Sequence, residues 1–398
     1  MNILFVHEVS FEKKPIFEMH EFPEQLAAKG HKVTFLQFDE GFRFWKGKRQ
    51  PIEKNIYGRV LPETSIRLIT PHQFGIPGLD RLWAIVSIWP VLDRLLNTEK
   101  FDAIVLYAVP TYGRQVIQLA KKYRVPVVFR ALDVSHLIRK SLLSPLIKSA
   151  EKYVYKNADV LSANNPAMAR YCLELSGRSG NSFVNLPPLD VAHFASKPRD
   201  SNLRSQLGIK TEDRVIAYMG SFFYFSGLDT VIQEFVKSAY SQPNLKLLLI
   251  GGGEQDAELR AVVKANQLEN RVIFTGFIPY AELPKYLQQA DVVINPMLAT
   301  PVSNTAFPHK VLQYMAAELP VVSTKLDGIY ETFGAESGVL WESGPAQVLA
   351  AAISIVSDPE QTAENVRKQK LTVTNLLSVD RAVNELEALI EDLVGARA

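Results

Sequence analysis

"LKLLLIGGGEQDAELRAVVKANQLENRVIFTGFIPYAELPKYLQQADVVINPM", residues 245–297, decides the fold. Three apolar runs, LKLLLI, RVIF and DVVINP, alternate with helical patterns over EQDAELRAVVKANQ and YAELPKYLQQA. Short apolar runs without polar alternation predict strands covered on both faces, and their alternation with helices predicts a parallel sheet. The pattern continues outward. Upstream lie the strand RVIAYMG (214–220) and a helix over LDTVIQEFVKSAY (228–240); downstream, FPHKVLQYMAAELPVVS (307–323) gives a helix and a strand. The first half repeats the scheme with NILFVHEV, IFEMHEFPEQLAAKG, HKVTFLQF, FDAIVLYAV, TYGRQVIQLAKKY and VPVVFRA. Between the halves, VNLPPLDVAHFASKPRDSNLR (184–204) reads as a linker. The expected fold class is therefore α/β, with two Rossmann-like domains, 1–195 and 196–375, facing each other across a cleft. The segment 376–398 is an amphipathic helix with Leu386, Leu389, Ile390 and Leu393 on one side.

A length of 398 residues fits two such cores. Cys172 is the single cysteine, which rules out a disulfide within the chain and argues against a cysteine-based zinc site. No segment approaches the roughly 20 uncharged apolar residues that span a bilayer, and the N-terminus reads as a strand rather than a signal peptide. A cytoplasmic location is expected, with no nucleic acid partner. The net charge of +2 conceals an asymmetry: residues 1–200 hold 28 Lys and Arg against 19 Asp and Glu, whereas residues 201–398 hold 16 against 23. That contrast reads either as two independent surfaces or as a first half that meets something anionic, such as a membrane leaflet, a lipid phosphate or an acidic glycan. LWAIVSIWPVL (82–92) reads as core or as a segment dipping into a leaflet.

Ligands of open α/β sheets bind beyond the carboxyl ends of the strands, so those ends supply the candidate site residues. Gly251, Gly252 and Gly253 end one strand and precede Glu254; they serve either a tight turn or close approach of a ligand. The spacing is not that of a nicotinamide fingerprint. Gly220 and Ser221 end a second strand, followed by an aromatic run that stacks on a ring or packs. Phe274, Thr275 and Gly276 offer backbone to a flat base edge. Pro308 suits the first position of a helix whose first turn holds His309 and Lys310. Cations are disfavoured at a helix start, which carries partial positive charge, unless an anion sits there too. On this helix Val311, Leu312, Met315 and Leu319 fall on the core side; His309, Lys310, Gln313 and the small Ala317 fall on the other. In the first half, Arg130, Asp133 and His136 follow one strand. They suit proton handling or sugar orientation, or else a loop ion pair of Arg130 with Asp133. Lys13, Lys14, His20 and Glu21 lie in the loop and helix after the first strand, and either hold an acceptor or form plain surface.

Together, LAAKGHKVTFL, VNLPPLDVAHF, GSFFYFSGLDTVIQEF, the 245–297 stretch and FPHKVLQYMAAELPVVS resemble the GT-B glycosyltransferases, and most closely the retaining family-4 group. The resemblance runs in order over nearly the whole chain. It implies a nucleotide-sugar donor on the second domain, an acceptor on the first and a final helix packing back on the first domain. It also implies transfer with retention, and neither metal nor cofactor; no Asp-x-Asp motif is present to hold a metal. Relatives carry two glutamates at the positions of Thr305 and Gln313, and an arginine and lysine at those of Ser221 and Ser226. They have glycine where this chain has Glu318, and often histidine where it has Leu132. Lys310 matches a lysine of one subset, which makes it the expected diphosphate cation, aided by His309. The implied donor contacts are Gly220, Ser221, Gly251, Gly252, Gly253, Glu254, Phe274, Gly276, Pro308, His309 and Gln313. Lys13, Lys14, His20 and Arg130 are placed with the acceptor, and Lys310, Asp133 and His136 with catalysis. The expected acceptor is a surface glycan or lipid-linked precursor, met by an enzyme at the inner face of the membrane. The alternatives are a nucleotide-sugar binding protein without activity and a related-fold epimerase.

Overall fold

A computed structural model describes residues 1–39, 51–72, 79–138, 142–358 and 362–397. They form two compact units, Met1–Pro188 with Val379–Ala398, and Leu189–Ser378. The first border falls before the expected one at 195. Composition marks 184–204 as a linker, yet Leu189 and Phe194 are buried in the second unit, and His193 stacks on Tyr280 with centroids 4.6 Å apart.

In the first unit the strands are β1 (Asn2–Val6), β2 (Lys32–Leu36), β3 (Ile52–Tyr57), β4 (Ser65–Thr70), β5 (Ala103–Leu106), β6 (Val127–Ala131), β7 (Val160–Ala163) and β8 (Ser182–Val184). They form one sheet in the order β3-β4-β2-β1-β5-β6-β7-β8, parallel except for the antiparallel edge pair β3/β4. Along β1, Ile3, Leu4, Phe5 and Val6 are all fully buried because both faces are covered. Ile3 and Phe5 join the helix Glu18–Ala28 through Met19, Phe22 and Leu26, and the C-terminal helix Val379–Gly395 through Ala382, Val383, Leu386 and Ile390. Leu4 and Val6 face the helix Asp80–Thr98, with Ile88, Leu92 and Leu95. Alternate residues of a strand point to opposite faces, so one continuous apolar run feeds two cores.

The second unit contains β9 (Arg214–Met219), β10 (Leu245–Ile250), β11 (Val272–Gly276), β12 (Val292–Asn295), β13 (Val321–Thr324) and β14 (Leu340–Glu342). All pair in parallel in the order β11-β10-β9-β12-β13-β14. The order reverses between β9 and β12, as it does between β1 and β5 in the first unit. Such switch points splay the loops at the carboxyl ends of the two central strands and open a place for ligand. Among the described residues, no helix is long and apolar enough to cross a membrane, and no group of His, Cys, Asp and Glu could hold a metal.

Candidate functional site

At the switch point of the second unit, three loops are laced together by backbone hydrogen bonds. The Gly220 N–H donates to Ile250 O at 2.9 Å, Phe222 N–H to Gly252 O at 3.0 Å, and Gly251 N–H to Gly276 O at 3.0 Å. Side chains would prevent this. A Cβ on Gly251, where φ is +132°, would lie 2.1 Å from Gly220 O, and one on Gly253 would lie 2.7 Å from Phe222 N. The glycine run therefore brings backbone against backbone. Gly251→Ala is expected to cost the second unit roughly 2–3 kcal/mol through the clash and the left-handed backbone. At Gly276 a Cβ would meet nothing within 4 Å although φ is +71°, so Gly276→Ala carries mainly the backbone term. Urea denaturation of the two variants checks the order.

Lys310 enters this switch point from the helix His309–Ala316. Its Nζ donates to Tyr218 Oη at 2.7 Å and lies 4.2 Å from the centre of that ring. A Cβ on Gly220 would meet Lys310 Cε and Nζ at 3.1 Å, so the missing side chain makes room for the ammonium. One turn along the helix, Tyr314 Oη accepts the Met219 N–H at 2.6 Å. Residues i and i+4 thus fasten the helix to the end of β9. Part of Lys310 still meets solvent, but the ammonium is packed against protein, and desolvation lowers its pKa to about 7. No acidic side chain among the described residues lies within ion-pair distance.

The other donor candidates fall around Lys310 unevenly. Pro308 precedes the helix rather than opening it, with ψ at 104°; His309 is the first helical residue and is half-buried. Gln313 is half-buried one turn on. Ala317 is fully buried, so it leaves no gap for a ligand; its carbonyl accepts Gln288 Nε2 at 3.0 Å. Ser221 is half-buried and its carbonyl accepts Tyr218 Oη at 2.9 Å. Glu254 is exposed and accepts the Tyr224 N–H at 3.1 Å, tying the glycine loop to the β9 loop. Phe274 corrects the expectation. It lies within β11, not beyond it, and its ring sits 4.3 Å beneath the Arg260 guanidinium, lining a separate cavity of about 810 Å³. The order of residues along the chain does not reveal which face of a strand a side chain takes.

In the first unit, the ends of β1, β5 and β6 enclose a cavity of about 230 Å³ lined by His7, Glu8, Lys14, Tyr107, Leu132 and Asp133, among others. His7 stacks on Tyr107 with centroids 5.1 Å apart. Its Nδ1 accepts the Glu8 N–H at 2.8 Å, which leaves the proton of the neutral ring on Nε2. Glu8 is held by the N–H groups of Thr111 and Tyr112, at 2.6 and 2.9 Å. Asp133 is exposed at the mouth. Desolvation by the surrounding protein, and then the charge of Glu18, raise its carboxyl to about 6; solvent access tempers that rise. His7, Glu8 and Tyr107 were missed, although each lies directly beyond a strand end.

Several acceptor candidates lie elsewhere. Arg130 is fully buried in a bidentate pair with Glu18, at 2.6 and 2.8 Å, and so does not pair with Asp133. It sits inside β6 and faces the helix Glu18–Ala28. His20 is fully buried, with Nε2 2.7 Å from Phe11 O; burial, with help from the charge of Arg59, lowers its pKa to about 4. Lys13 points to Asp39 at 2.5 Å. His136 turns to the buried Glu151 at 2.5 Å and does not line the cavity. Of the two lysines, only Lys14 lines it.

Comparison with known proteins agrees with this architecture. The profile of "Glycosyl transferases group 1" matches residues 200–372, and that of the "Glycosyl transferase 4-like domain" matches residues 19–187. N-acetyl-alpha-D-glucosaminyl L-malate synthase of Bacillus anthracis is 21% identical over 385 residues, covering 94% of this chain and 92% of that protein. Sucrose-phosphate synthase from Thermosynechococcus elongatus superposes with a TM-score of 0.79 at 20% identity, covering 100% of both chains. HepE of Anabaena, solved in complex with UDP-glucose, gives 0.76 at 17% identity, covering 98% of this chain and 100% of that one. With both sheets in Rossmann-like order and both halves matched, the chain belongs to the glycosyltransferases, as a family-4-like transferase of the GT-B fold.

Proposed function

We propose that this transferase moves a sugar from a nucleoside diphosphate sugar to an acceptor hydroxyl in glycan or glycolipid synthesis, with retention at the anomeric carbon. The observation that carries the donor assignment is Lys310. A desolvated ammonium at the end of β9, in the first turn of a helix and without an acidic partner among the described residues, is a place prepared for an anion. A diphosphate supplies that anion. As the bond from the anomeric carbon to the diphosphate oxygen breaks, charge collects on the leaving group, and a cation already in position stabilises it. Gln313 and Glu254 offer hydrogen bonds to ribose or sugar hydroxyls. The UDP-glucose bound by the Anabaena protein and the family resemblance support this reading, and retention rests on the resemblance. With Lys310 supplying the cation, no divalent metal is required.

The first-unit cavity is assigned to the acceptor. His7, backed by the stacked ring of Tyr107, gives a sugar a flat surface, and Asp133 accepts a hydrogen bond from its hydroxyl. A panel of UDP-, GDP- and ADP-sugars tests the function by thermal shift and by release of nucleoside diphosphate, with and without EDTA. One nucleotide series is expected to raise Tm and to turn over equally with EDTA. The donor assignment fails if no nucleotide raises Tm, and a sugar isomerised without nucleotide release would make the protein an epimerase.

A further inference from the structure

Among the described residues of the first unit, exposed aliphatic and tryptophan side chains concentrate in two places. On the helix Asp80–Thr98, Leu82 is 56% exposed, Val86 62% and Trp89 42%, spaced so that they share one face. Near the start of the helix Ser144–Asn157, Leu142 is 100% exposed and Leu146 68%. Both helices pack against the helix Gly113–Tyr123. Gln115 Nε2 donates to Ile85 O at 2.9 Å on one side, and the Arg114 guanidinium lies 4.9 Å over the Tyr153 ring on the other. Both apolar stretches also begin beside the acceptor cavity. Arg81 reaches Thr111 Oγ1 at 3.4 Å and Glu8 at 3.7 Å, and Ile138, itself 39% exposed, is one of the cavity's lining residues.

Charge accompanies these residues. Residues 79–157 contain 13 Lys and Arg against 6 Asp and Glu, so most of the basic excess of the first half lies in this segment. Arg114, Lys121, Lys148 and Lys152 are exposed on the helices concerned. Exposed aliphatic side chains and tryptophan amid cations match the layered chemistry of an anionic leaflet, where apolar side chains enter the acyl boundary and cations meet the headgroups.

We propose that this face docks on an anionic lipid bilayer and presents the acceptor cavity to it. The acceptor is then a hydroxyl on a lipid-anchored molecule; this last step rests on the transferase reading above. Binding uses Leu82, Val86, Trp89, Leu142 and Leu146 for insertion and the neighbouring cations for attraction.

The test is co-sedimentation of the full chain with phosphatidylcholine vesicles, with and without phosphatidylglycerol. Tryptophan emission is read on the same samples, since Trp83 and Trp89 lie in the patch. The protein is expected to sediment with the anionic vesicles, less so at high salt, and its emission to shift to the blue. Val86→Glu with Trp89→Glu, and Leu142→Glu with Leu146→Glu, are each expected to lower the partition constant roughly tenfold or more, because each removes buried apolar area and adds a repelled charge. Nucleoside diphosphate release without vesicles should stay unchanged in both. Failure to sediment with anionic vesicles overturns the proposal, as does sedimentation of the four-site variant at the wild-type level. Concentration-dependent dimerisation abolished by the same substitutions, without vesicle binding, would assign the face to a second copy of the chain. Vesicle binding by a protein that releases no nucleotide would keep the surface and remove the transferase reading.

Discussion

Lys310→Met is expected to lower kcat/KM for the nucleoside diphosphate sugar about 10³-fold, a loss of roughly 4 kcal/mol of transition-state stabilisation. The fold should survive. In the free protein the ammonium has a tyrosine hydroxyl and a ring face for company and no counterion among the described residues, so methionine removes a desolvated charge without opening a cavity. The pH dependence identifies the cause. The folded pKa of Lys310 is about 7, below the ordinary 10.5. Between those values the unfolded chain holds more protons than the folded one, so this site's contribution to stability rises with pH across the window and is lowest below 7. Donor affinity runs the other way. The diphosphate attracts the ammonium, so above pH 7 binding takes up a proton and the apparent Kd rises, by up to tenfold per pH unit. Calorimetry in buffers of different ionisation enthalpy reads that uptake directly. In Lys310→Met both slopes should vanish. If the slopes persist, another group titrates and Lys310 is not the diphosphate cation.

The parts that sequence reading located and those it missed differ for a physical reason. Strands such as LKLLLI and VVFRA are legible because burial on both faces leaves an unbroken apolar run. Strand β3 was not legible: it is an antiparallel edge strand whose Glu53, Lys54 and Asn55 are exposed, so no such run exists. The loops of the donor site were found by their glycines, but the glycines were ambiguous between ligand and backbone contact; a Cβ on Gly251 would lie only 2.1 Å from Gly220 O, which shows the backbone contact. Glu318, at a position where the resemblance implies glycine, takes the left-handed conformation, with φ at +56°. Lys310 was found because a cation at a helix start violates a local rule. Tyr218, which fixes that cation, was hidden inside a strand whose composition says only that it is buried. Arg130 and Phe274 were misplaced for a related reason. Each is near the end of its strand but still within it, and strand alternation turns each toward a packed face instead of the ligand side.

Arg130→Met should destabilise the first unit by roughly 3–5 kcal/mol. Arg130 and Glu18 are both out of contact with water, and the guanidinium also donates to Asn185 O at 2.6 Å and Ser162 Oγ at 3.1 Å. Removing it leaves a buried carboxylate and two acceptors without their donor. The pair itself is a weaker source of stability than that figure implies, because desolvating two charges offsets most of their attraction. The double variant Arg130→Met with Glu18→Leu should therefore recover most of the loss, and a double-mutant cycle by urea denaturation measures the coupling. The consequence for the acceptor cavity follows from position. Tyr107, which lines the cavity, feels the charges of both Glu18 and Arg130, and Asp133 at the mouth feels that of Glu18. Without Arg130, the unbalanced Glu18 carboxylate should raise the Asp133 pKa further. A pH–rate profile for transfer in Arg130→Met should then show its acid limb displaced upward, while thermal shifts with nucleotide, which report on the second unit, stay as in the wild type. A displaced limb together with weakened nucleotide binding would mean instead that the substitution perturbs the whole chain rather than the acceptor side.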